Sequence, residues 1–367
     1  MKFFNFFNAS LVLLFIVSFV SAFLFFSKEK HIPTYNSPSF VEKIASLVTP
    51  APLLPSLPES FEIPQRYHTF QTFNNCGPAT LSMALSYWGI DKSQQELGNI
   101  LRPYQVAGGD NDDKSVTLQE VARQAEEYGL HAYLRPNGTT DKLEKFISQG
   151  VPVVTRTWLK PNEDIGHYRI VRGYDKNALE LIQDDSLHGK NLRYSYEDFN
   201  SIWKQFNYEY LILVDDDKKV IAEQILGEEL EENTAWENAL ARINEELMND
   251  AKNVHLIFAR SRIYYYLKEY DKSINDFEKV EASLSFRTLW YQIEPILSYY
   301  ELGEYDRVFQ LTDQILNNQN RAFSELYQLR GEIYLKQGNM EAARNEFETA
   351  IFYKKNFQPA INSLNSI

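Results

Sequence analysis

FQTFNNCGPATLSMALSYWG, residues 70–89, contains the only cysteine of the chain, Cys76. Pro78 follows two residues later, and apolar side chains recur behind it at helical spacing (Leu81, Ala84, Leu85, Trp88). Proline is typical of the first turn of a helix, so the stretch predicts a loop that brings a thiol to a helix N-terminus. The unpaired N–H groups and the helix dipole at that end favour a thiolate. Cys76 is therefore a candidate nucleophile, and a buried structural cysteine is the alternative interpretation.

The composition limits the classes of function. With 367 residues, the chain is long enough for two domains and additional segments. A net charge of −13 argues against nucleic acid as a partner, because its phosphates would be repelled. A single cysteine excludes an intrachain disulfide and a cysteine-rich zinc site. The acidic stretch Gly108–Asp113 has oxygen ligands for calcium, but no glutamate follows at the bidentate position, so we interpret it as a flexible loop. No cofactor and no metal are predicted.

Residues 1–30 are predicted to be a transmembrane anchor or a signal peptide. Phe3–Ser27 has no charged residue, and at about 1.5 Å per residue it is long enough to cross a bilayer of about 30 Å. Val20–Ala22 resembles a signal-peptide cleavage site, but the apolar run continues to Phe26, which favours an uncleaved anchor. The expected location is membrane-anchored on the extracytoplasmic face, or secreted if residues 1–22 are cleaved.

Residues 31–60 are predicted to be a proline-rich linker. Seven of the fourteen prolines lie between His31 and Arg66, and proline-rich segments are semi-rigid spacers.

Residues 61–217 have the pattern of an α+β domain. Two capping boxes, Ser93-x-x-Glu96 and Thr117-x-x-Glu120, predict helix N-termini. Four strands are then predicted, at Val151–Leu159, His167–Tyr174, Leu179–Gln183 and Tyr208–Val214. Because these strands follow one another with short connections, we expect an antiparallel sheet with the helices packed on it.

Residues 228–367 repeat themselves. A similar turn recurs every 35 residues, at Leu267–Asp271, Leu302–Asp306 and Gln337–Glu341, each between two predicted helices. A helix–turn–helix unit of this length resembles the tetratricopeptide repeat, whose period is about 34 residues. The region is predicted to be an all-α, TPR-like solenoid that binds a protein partner.

A cysteine nucleophile needs a base and a third group that orients the base. Among the six histidines, His167 begins a predicted strand, and the hairpin that follows returns at Asp184 and Asp185. The other five have weaker claims from their predicted positions in the linker, in loops, in a strand or in the repeats: His31, His68, His131, His188 and His255. The order of Cys, His and Asp along the chain matches the papain-type arrangement.

Several motifs together resemble the C39-type cysteine peptidases over about residues 61–215. They are Gln71-x4-Cys76-Gly-Pro-Ala, Trp88-Gly89, Gly166-His167-Tyr168, Gly173-Tyr174-Asp175 and the closing Tyr194–Phe199 with Trp203. The resemblance implies a papain-like fold and a peptide or protein substrate.

The same resemblance assigns roles to four residues. It makes Cys76 the nucleophile and His167 the general base, and Gln71 with the Cys76 N–H would form an oxyanion hole. The family often has Asp-Pro at the third position; Ser186 stands where that proline falls, which makes Asp185 the match. Asp184 stays open as the alternative, because adjacent strand residues face opposite sides and only one can reach the histidine.

The sequence therefore predicts a cysteine peptidase that hydrolyses peptide bonds, fused to protein-binding repeats. Transpeptidation or deamidation by the same triad is one alternative. An inactive peptidase-like domain that serves with the repeats as a binding module is the other. No Gly-x4-Gly-Lys-Ser/Thr motif is present, so no nucleotide is expected.

Overall fold

The computed structural model describes residues 56–104, 116–317 and 320–367. The predicted anchor or signal peptide (1–30), almost all of the predicted linker (31–60) and the acidic stretch Gly108–Asp113 lie outside these ranges. The predicted limits of the domains stay predictions.

The predicted location requires a correction. In the three ranges that the structure describes, no helix is both long enough and apolar enough to cross a membrane. The prediction of a membrane-anchored, extracytoplasmic protein is wrong on this finding.

The first part of the described chain (residues 56–214, called the α+β part) contains one antiparallel sheet. Its strands are β1 Ser60–Glu62, β2 His131–Arg135, β3 Val153–Lys160, β4 Glu163–Asp175, β5 Glu180–Asp185, β6 Gly189–Ser195 and β7 Tyr210–Val214. The strand order is β2-β7-β3-β4-β5-β6, and β1 pairs with the end of β4. Five helices belong to this part: α1 Cys76–Ser86, α2 Gln94–Leu101, α3 Leu118–Glu126, α4 Thr140–Ser148 and α5 Tyr196–Trp203. The predicted class, helices on an antiparallel sheet, is confirmed.

Helix α1 is the central helix of this part. Ten of its eleven residues, from Cys76 to Leu85, are buried, because α1 lies between β4, α2 and α3. A side chain at Gly77 would put its Cβ 2.9 Å from that of Val116. Only glycine lets α1 approach the entry to α3 this closely.

The two capping boxes are confirmed. Ser93 Oγ accepts a hydrogen bond from the Glu96 N–H, and Glu96 Oε2 accepts one from the Ser93 N–H at 2.9 Å. Thr117 and Glu120 make the same reciprocal pair at the start of α3. Strand β6, in contrast, is not among the four strands predicted from the sequence.

The second part (from residue 216 on, called the helical segment) is built of helices in its described residues. Its α-helices are α6 Asp216–Leu226, α7 Glu232–Asn249, α8 Val254–Tyr266, α9 Tyr270–Val280, α10 Thr288–Tyr291, α11 Glu294–Glu301, α12 Tyr305–Leu316, α13 Ser324–Lys336, α14 Met340–Tyr353 and α15 Gln358–Asn365. Lys268, Gly303 and Gly338, one in each repeated turn, all have φ between 61° and 78°. The predicted helix–turn–helix repetition is confirmed, and each of the three turns contains one residue in the left-handed conformation.

One predicted helix is broken. The helix predicted before the repeated turn Leu302–Asp306 is not continuous: α10 ends at Tyr291 and α11 begins at Glu294. Pro295 lies in the first turn of α11, where its missing N–H needs no partner, whereas in a continuous helix it could not bond the Tyr291 carbonyl. The break turns Tyr291 and Glu294 toward the α+β part, as described below.

Candidate active site

Cys76 is the first residue of α1 and is almost fully buried, with 8% of its surface exposed. It packs with Val116, Tyr168 and Ile170 in the core of the α+β part. Tyr168 and Ile170 belong to β4, the strand that carries His167. The N-terminus of α1 therefore packs on β4, the strand that carries the candidate base, from the side of Tyr168 and Ile170, which alternate with His167 along the strand.

His167 and Asp185 form a buried hydrogen-bonded pair. His167 Nε2 donates to Asp185 Oδ1 over 2.8 Å, and both side chains are at most 3% exposed. Asp185 also accepts from the Leu187 N–H at 2.7 Å and from the His188 N–H at 3.0 Å. The carboxylate is held from several sides, which fixes the orientation of the imidazole.

The structure distinguishes the two adjacent aspartates. Asp185 pairs across the sheet with Arg169, whereas Asp184 pairs with Ile170. His167 and Arg169 are two residues apart and share a face of β4 with Asp185. Asp184 points the other way and forms an ion pair with Arg172 at 2.9 Å. Of the two, only Asp185 contacts the histidine.

Gln71 lies beside the same aspartate through Ser186. The Gln71 N–H donates to the Ser186 carbonyl at 2.7 Å, and Ser186 Oγ donates to Gln71 Oε1 at 2.8 Å. Because Oε1 is used as an acceptor, the amide NH₂ of Gln71 stays available as a donor. The loop after β5 thus orients both the carboxylate and the glutamine.

The predicted site residues are not all joined to one another by hydrogen bonds. Among the described residues, neither the Cys76 thiol nor His167 Nδ1 makes a side-chain hydrogen bond with the other. Since Nε2 is held by Asp185, Nδ1 is the ring nitrogen left to exchange a proton. The structure brings Gln71, His167 and Asp185 into one network and sets Cys76 against the strand that supports it.

The pKa shifts of Cys76 and His167 contradict the expectation of a thiolate at the N-terminus of α1. Burial raises the pKa of the Cys76 thiol above its ordinary value, although Arg102, the Gly77 N–H and Arg156 each act to lower it. Burial likewise lowers the pKa of His167, and the opposing effect of Asp185 does not restore it. The site therefore favours a neutral Cys76 thiol and a neutral His167 imidazole, not the thiolate that the helix N-terminus alone suggested.

The Asp185 carboxyl is in the opposite situation. Burial by itself would raise the pKa of Asp185, but the hydrogen bond from His167, together with the charge of the Arg169 guanidinium, holds it well below its usual range. Arg169 Nε lies 3.4 Å from Asp185 Oδ2. Asp185 is consequently ionised throughout the neutral range.

Three residues near the site had not been singled out from the sequence. Arg102 and Arg156 are buried, and their charges act on Cys76. Tyr291 comes from α10 of the helical segment. Its ring packs on Gly166, the neighbour of His167, and its carbonyl accepts from Arg156 Nη2 at 3.1 Å. No local motif could have found Tyr291, because the chain brings it from more than a hundred residues away.

Two of the histidines with weaker claims also surround Asp185. His188 Nδ1 lies 3.3 Å from Oδ2, and His68 Nε2 bonds the Asp185 carbonyl at 3.0 Å. Within the part of the chain that the structure describes, no group of three or more His, Cys, Asp or Glu side chains is arranged to hold a metal ion.

Residues 62–211 match the model of the "Peptidase_C39 like family", and residues 324–357 match that of the tetratricopeptide repeat. The chain thus contains a C39-like peptidase domain followed by a helical segment with a tetratricopeptide repeat. The predicted fusion is confirmed.

Solved structures similar to the chain include a putative C39-like peptidase from Bacillus anthracis, at 19% identity and a TM-score of 0.35 over 43% of this chain and 98% of that one. The peptidase domain of Streptococcus ComA, a bi-functional ABC transporter involved in a quorum-sensing pathway, has 19% identity and a TM-score of 0.33 over 41% and 99%. MamA has 16% identity and a TM-score of 0.32 over 36% and 75%. No curated protein matches the chain significantly.

Proposed function

We propose that the chain is a cysteine peptidase that hydrolyses peptide bonds through Cys76, His167 and Asp185. The buried hydrogen bond of 2.8 Å between His167 and Asp185 carries this proposal. A histidine held by a carboxylate on Nε2 keeps Nδ1 as a proton acceptor, which is what a thiol nucleophile requires. The C39-like family model supports the same class of reaction.

The proposed reaction starts from the neutral pair. As Cys76 Sγ attacks the carbonyl carbon of the scissile bond, His167 Nδ1 takes the thiol proton. The oxygen of the tetrahedral intermediate accepts from the Cys76 N–H and the Gln71 amide, and each such donor is worth roughly 3 kcal/mol. When the C–N bond breaks, His167 returns the proton to the leaving amine, and a thioester is left on Cys76.

Water completes the cycle. His167 removes a proton from the water that attacks the thioester, and the thiol leaves with that proton as the carboxylic acid is released. Asp185 stays ionised and stabilises the imidazolium that forms in each half of the reaction.

Two other functions use the same geometry. An amine that attacks the thioester in place of water gives transpeptidation, and a side-chain amide as the acyl donor gives deamidation. A binding module without turnover is favoured by one observation, the buried Cys76 thiol with its raised pKa. In every case the helical segment is proposed to bind protein.

An experiment with an undirected peptide mixture separates these possibilities. The full chain is incubated with the mixture in H₂¹⁸O, and new termini are identified by mass spectrometry, with Cys76→Ser as the control. Hydrolysis predicts new C-termini that carry ¹⁸O and that are absent with the variant. Ligated products would indicate transpeptidation, ¹⁸O at glutamine side chains deamidation, and an unchanged mixture a binding module.

A further inference from the structure

A cleft of about 680 Å³ lies between the α+β part and the helical segment. Residues of α3 and β2 line one side, and residues of α7, α8, α10 and α11 line the other. Arg156 and Tyr291 also line the cleft. Arg156 acts on Cys76 through its charge and Tyr291 packs on Gly166, so this end of the cleft adjoins the candidate active site, although Cys76 itself does not line the cleft.

One wall of the cleft contains a buried cluster of three charges. Arg262 Nη2 donates to Glu209 Oε1 at 2.7 Å and to Glu294 Oε1 at 2.6 Å, and all three residues are at most 7% exposed. Burial would raise the pKa of Glu294, but Arg262 holds it below its ordinary value, so the carboxylate is ionised. A single guanidinium faces two carboxylates in this cluster.

Glu294 has one carboxylate oxygen that no neighbour satisfies. Its Oε1 accepts from Arg262 and from the Tyr266 hydroxyl at 3.0 Å, whereas Oε2 accepts no hydrogen bond from any other described residue. A buried charged acceptor without a donor is costly. A donor that enters from the cleft would satisfy this oxygen.

The neighbouring cations are engaged elsewhere. Arg156 donates to the Tyr291 carbonyl and lies over the Phe206 ring at 4.6 Å. Lys354 is paired with Glu120 at 2.6 Å. Neither of them supplies the donor that Glu294 Oε2 lacks.

Aromatic rings complete the surroundings of Glu294. Trp236 and Tyr266 line the cleft and stack with a centroid separation of 3.9 Å. Five more aromatic residues of the helical segment line it as well: Tyr265, Trp290, Tyr291, Phe323 and Phe357. Aromatic faces attract cations as well as apolar chains, so the site fits a long apolar stem that ends in a positive charge.

We propose that this cleft binds a peptide substrate through a lysine or arginine side chain whose head group donates to Glu294 Oε2. The inference rests on the proposed function, because it makes the cleft the substrate site of Cys76. It also gives the helical segment a part in substrate selection.

The test compares two blocked heptapeptides that differ at one central residue, lysine or its neutral analogue norleucine. Their binding to full-length Cys76→Ser protein is measured by isothermal titration calorimetry, so no turnover is needed. We expect the lysine peptide to bind about tenfold more tightly or better, the effect of one charge-assisted hydrogen bond in a buried site. Equal affinities, or binding of neither peptide, would overturn the inference.

A second variant locates the effect. In the Cys76→Ser protein, the additional change Glu294→Gln should make the affinities for the lysine and norleucine peptides equal. The additional change Glu127→Gln, which neutralises an exposed carboxylate of the same cleft, should leave the preference for the lysine peptide unchanged. A lysine preference that survives Glu294→Gln would contradict the assignment to this residue. Failure of the proposed peptidase activity would appear separately, as unchanged peptides in the ¹⁸O experiment.

Discussion

At the scale of single residues, Asp185 is the most constrained group of the candidate active site. It is fully buried, and it contacts His167, Arg169 and two backbone N–H groups. These contacts more than offset the cost of burying the charge, since the pKa of Asp185 lies well below its usual range. The same contacts that orient the imidazole therefore also stabilise the fold.

This stabilisation predicts a dependence on pH. Because the folded pKa of Asp185 lies below the unfolded value of about 3.9, its contribution is complete above that value and is lost as the pH falls toward the folded pKa. Each unit of difference is worth about 1.4 kcal/mol. Urea unfolding between pH 2 and pH 6 should show a steeper loss of stability in the wild-type chain than in Asp185→Asn. Parallel curves for the two proteins would contradict this account.

The sequence indicated which residues form the candidate site better than it indicated their protonation state. Gln71, Cys76 and His167 stand in recognisable motifs, and the hairpin brings one aspartate to the histidine. The choice of Asp185 over Asp184 depends on strand register, with Asp185 opposite Arg169, and local pattern does not specify that register. The raised pKa of Cys76 was missed because burial outweighs the helix terminus and the two arginines.

At the scale of secondary structure, locally encoded features were predictable and distant ones were not. The capping boxes of α2 and α3 each span only four residues, so the sequence alone indicates them. Strand β6 needs β5 as its partner, and a short polar stretch carries little sign of that pairing. The break between α10 and α11 depends on Pro295. The resulting position of Tyr291 depends on tertiary contacts, which the local sequence does not specify.

The packing between repeated helices leads to a prediction at Gly331 in α13. A Cβ at this position would overlap the buried ring of Phe347 in α14. Alanine is favoured over glycine by about 1 kcal/mol within a helix, but overpacking a core costs about 1–3 kcal/mol. We therefore expect Gly331→Ala to lower the free energy of unfolding by about 1 kcal/mol.

Urea unfolding followed by circular dichroism measures that change. The exposed position Glu348 on α14 provides the control, because Glu348→Ala should change the stability by less than about 0.5 kcal/mol. A more stable Gly331→Ala protein would show that the ring moves aside and that the helices are not closely packed.

At the scale of the whole molecule, buried polar groups join the helical segment to the α+β part. Arg262 of α8 bonds Asn207 and Glu209 of the α+β part and Glu294 of α11. Farther along the chain, Lys354 pairs with Glu120 and Asn356 bonds the Ile100 carbonyl at 3.2 Å. Contacts near both ends of the helical segment hold it against the α+β part, which is why the cleft between them can act as a defined site.

This connection predicts cooperative unfolding that depends on Arg262. Arg262→Met leaves the carboxylates of Glu209 and Glu294 buried without their cation, which should cost about 3–5 kcal/mol. Removing an exposed pair with Arg193→Met, which loses only Glu180, should cost less than about 1 kcal/mol. Tryptophan fluorescence and circular dichroism during urea unfolding measure both variants. A small loss for Arg262→Met, similar to that of the control, would contradict a structural role for the cluster.

The most direct test of the central claim is the rate at which a peptidyl chloromethyl ketone modifies Cys76 in the full chain, followed by intact mass. His131 provides a matched control, since its Nε2 contacts Asp216 at 2.7 Å in an exposed pair away from the site. General base catalysis is worth about a hundredfold or more, so His167→Ala should lower the rate by about that factor and His131→Ala should leave it unchanged. No adduct on the wild-type chain, or equal rates with and without His167, would contradict a Cys76–His167 peptidase.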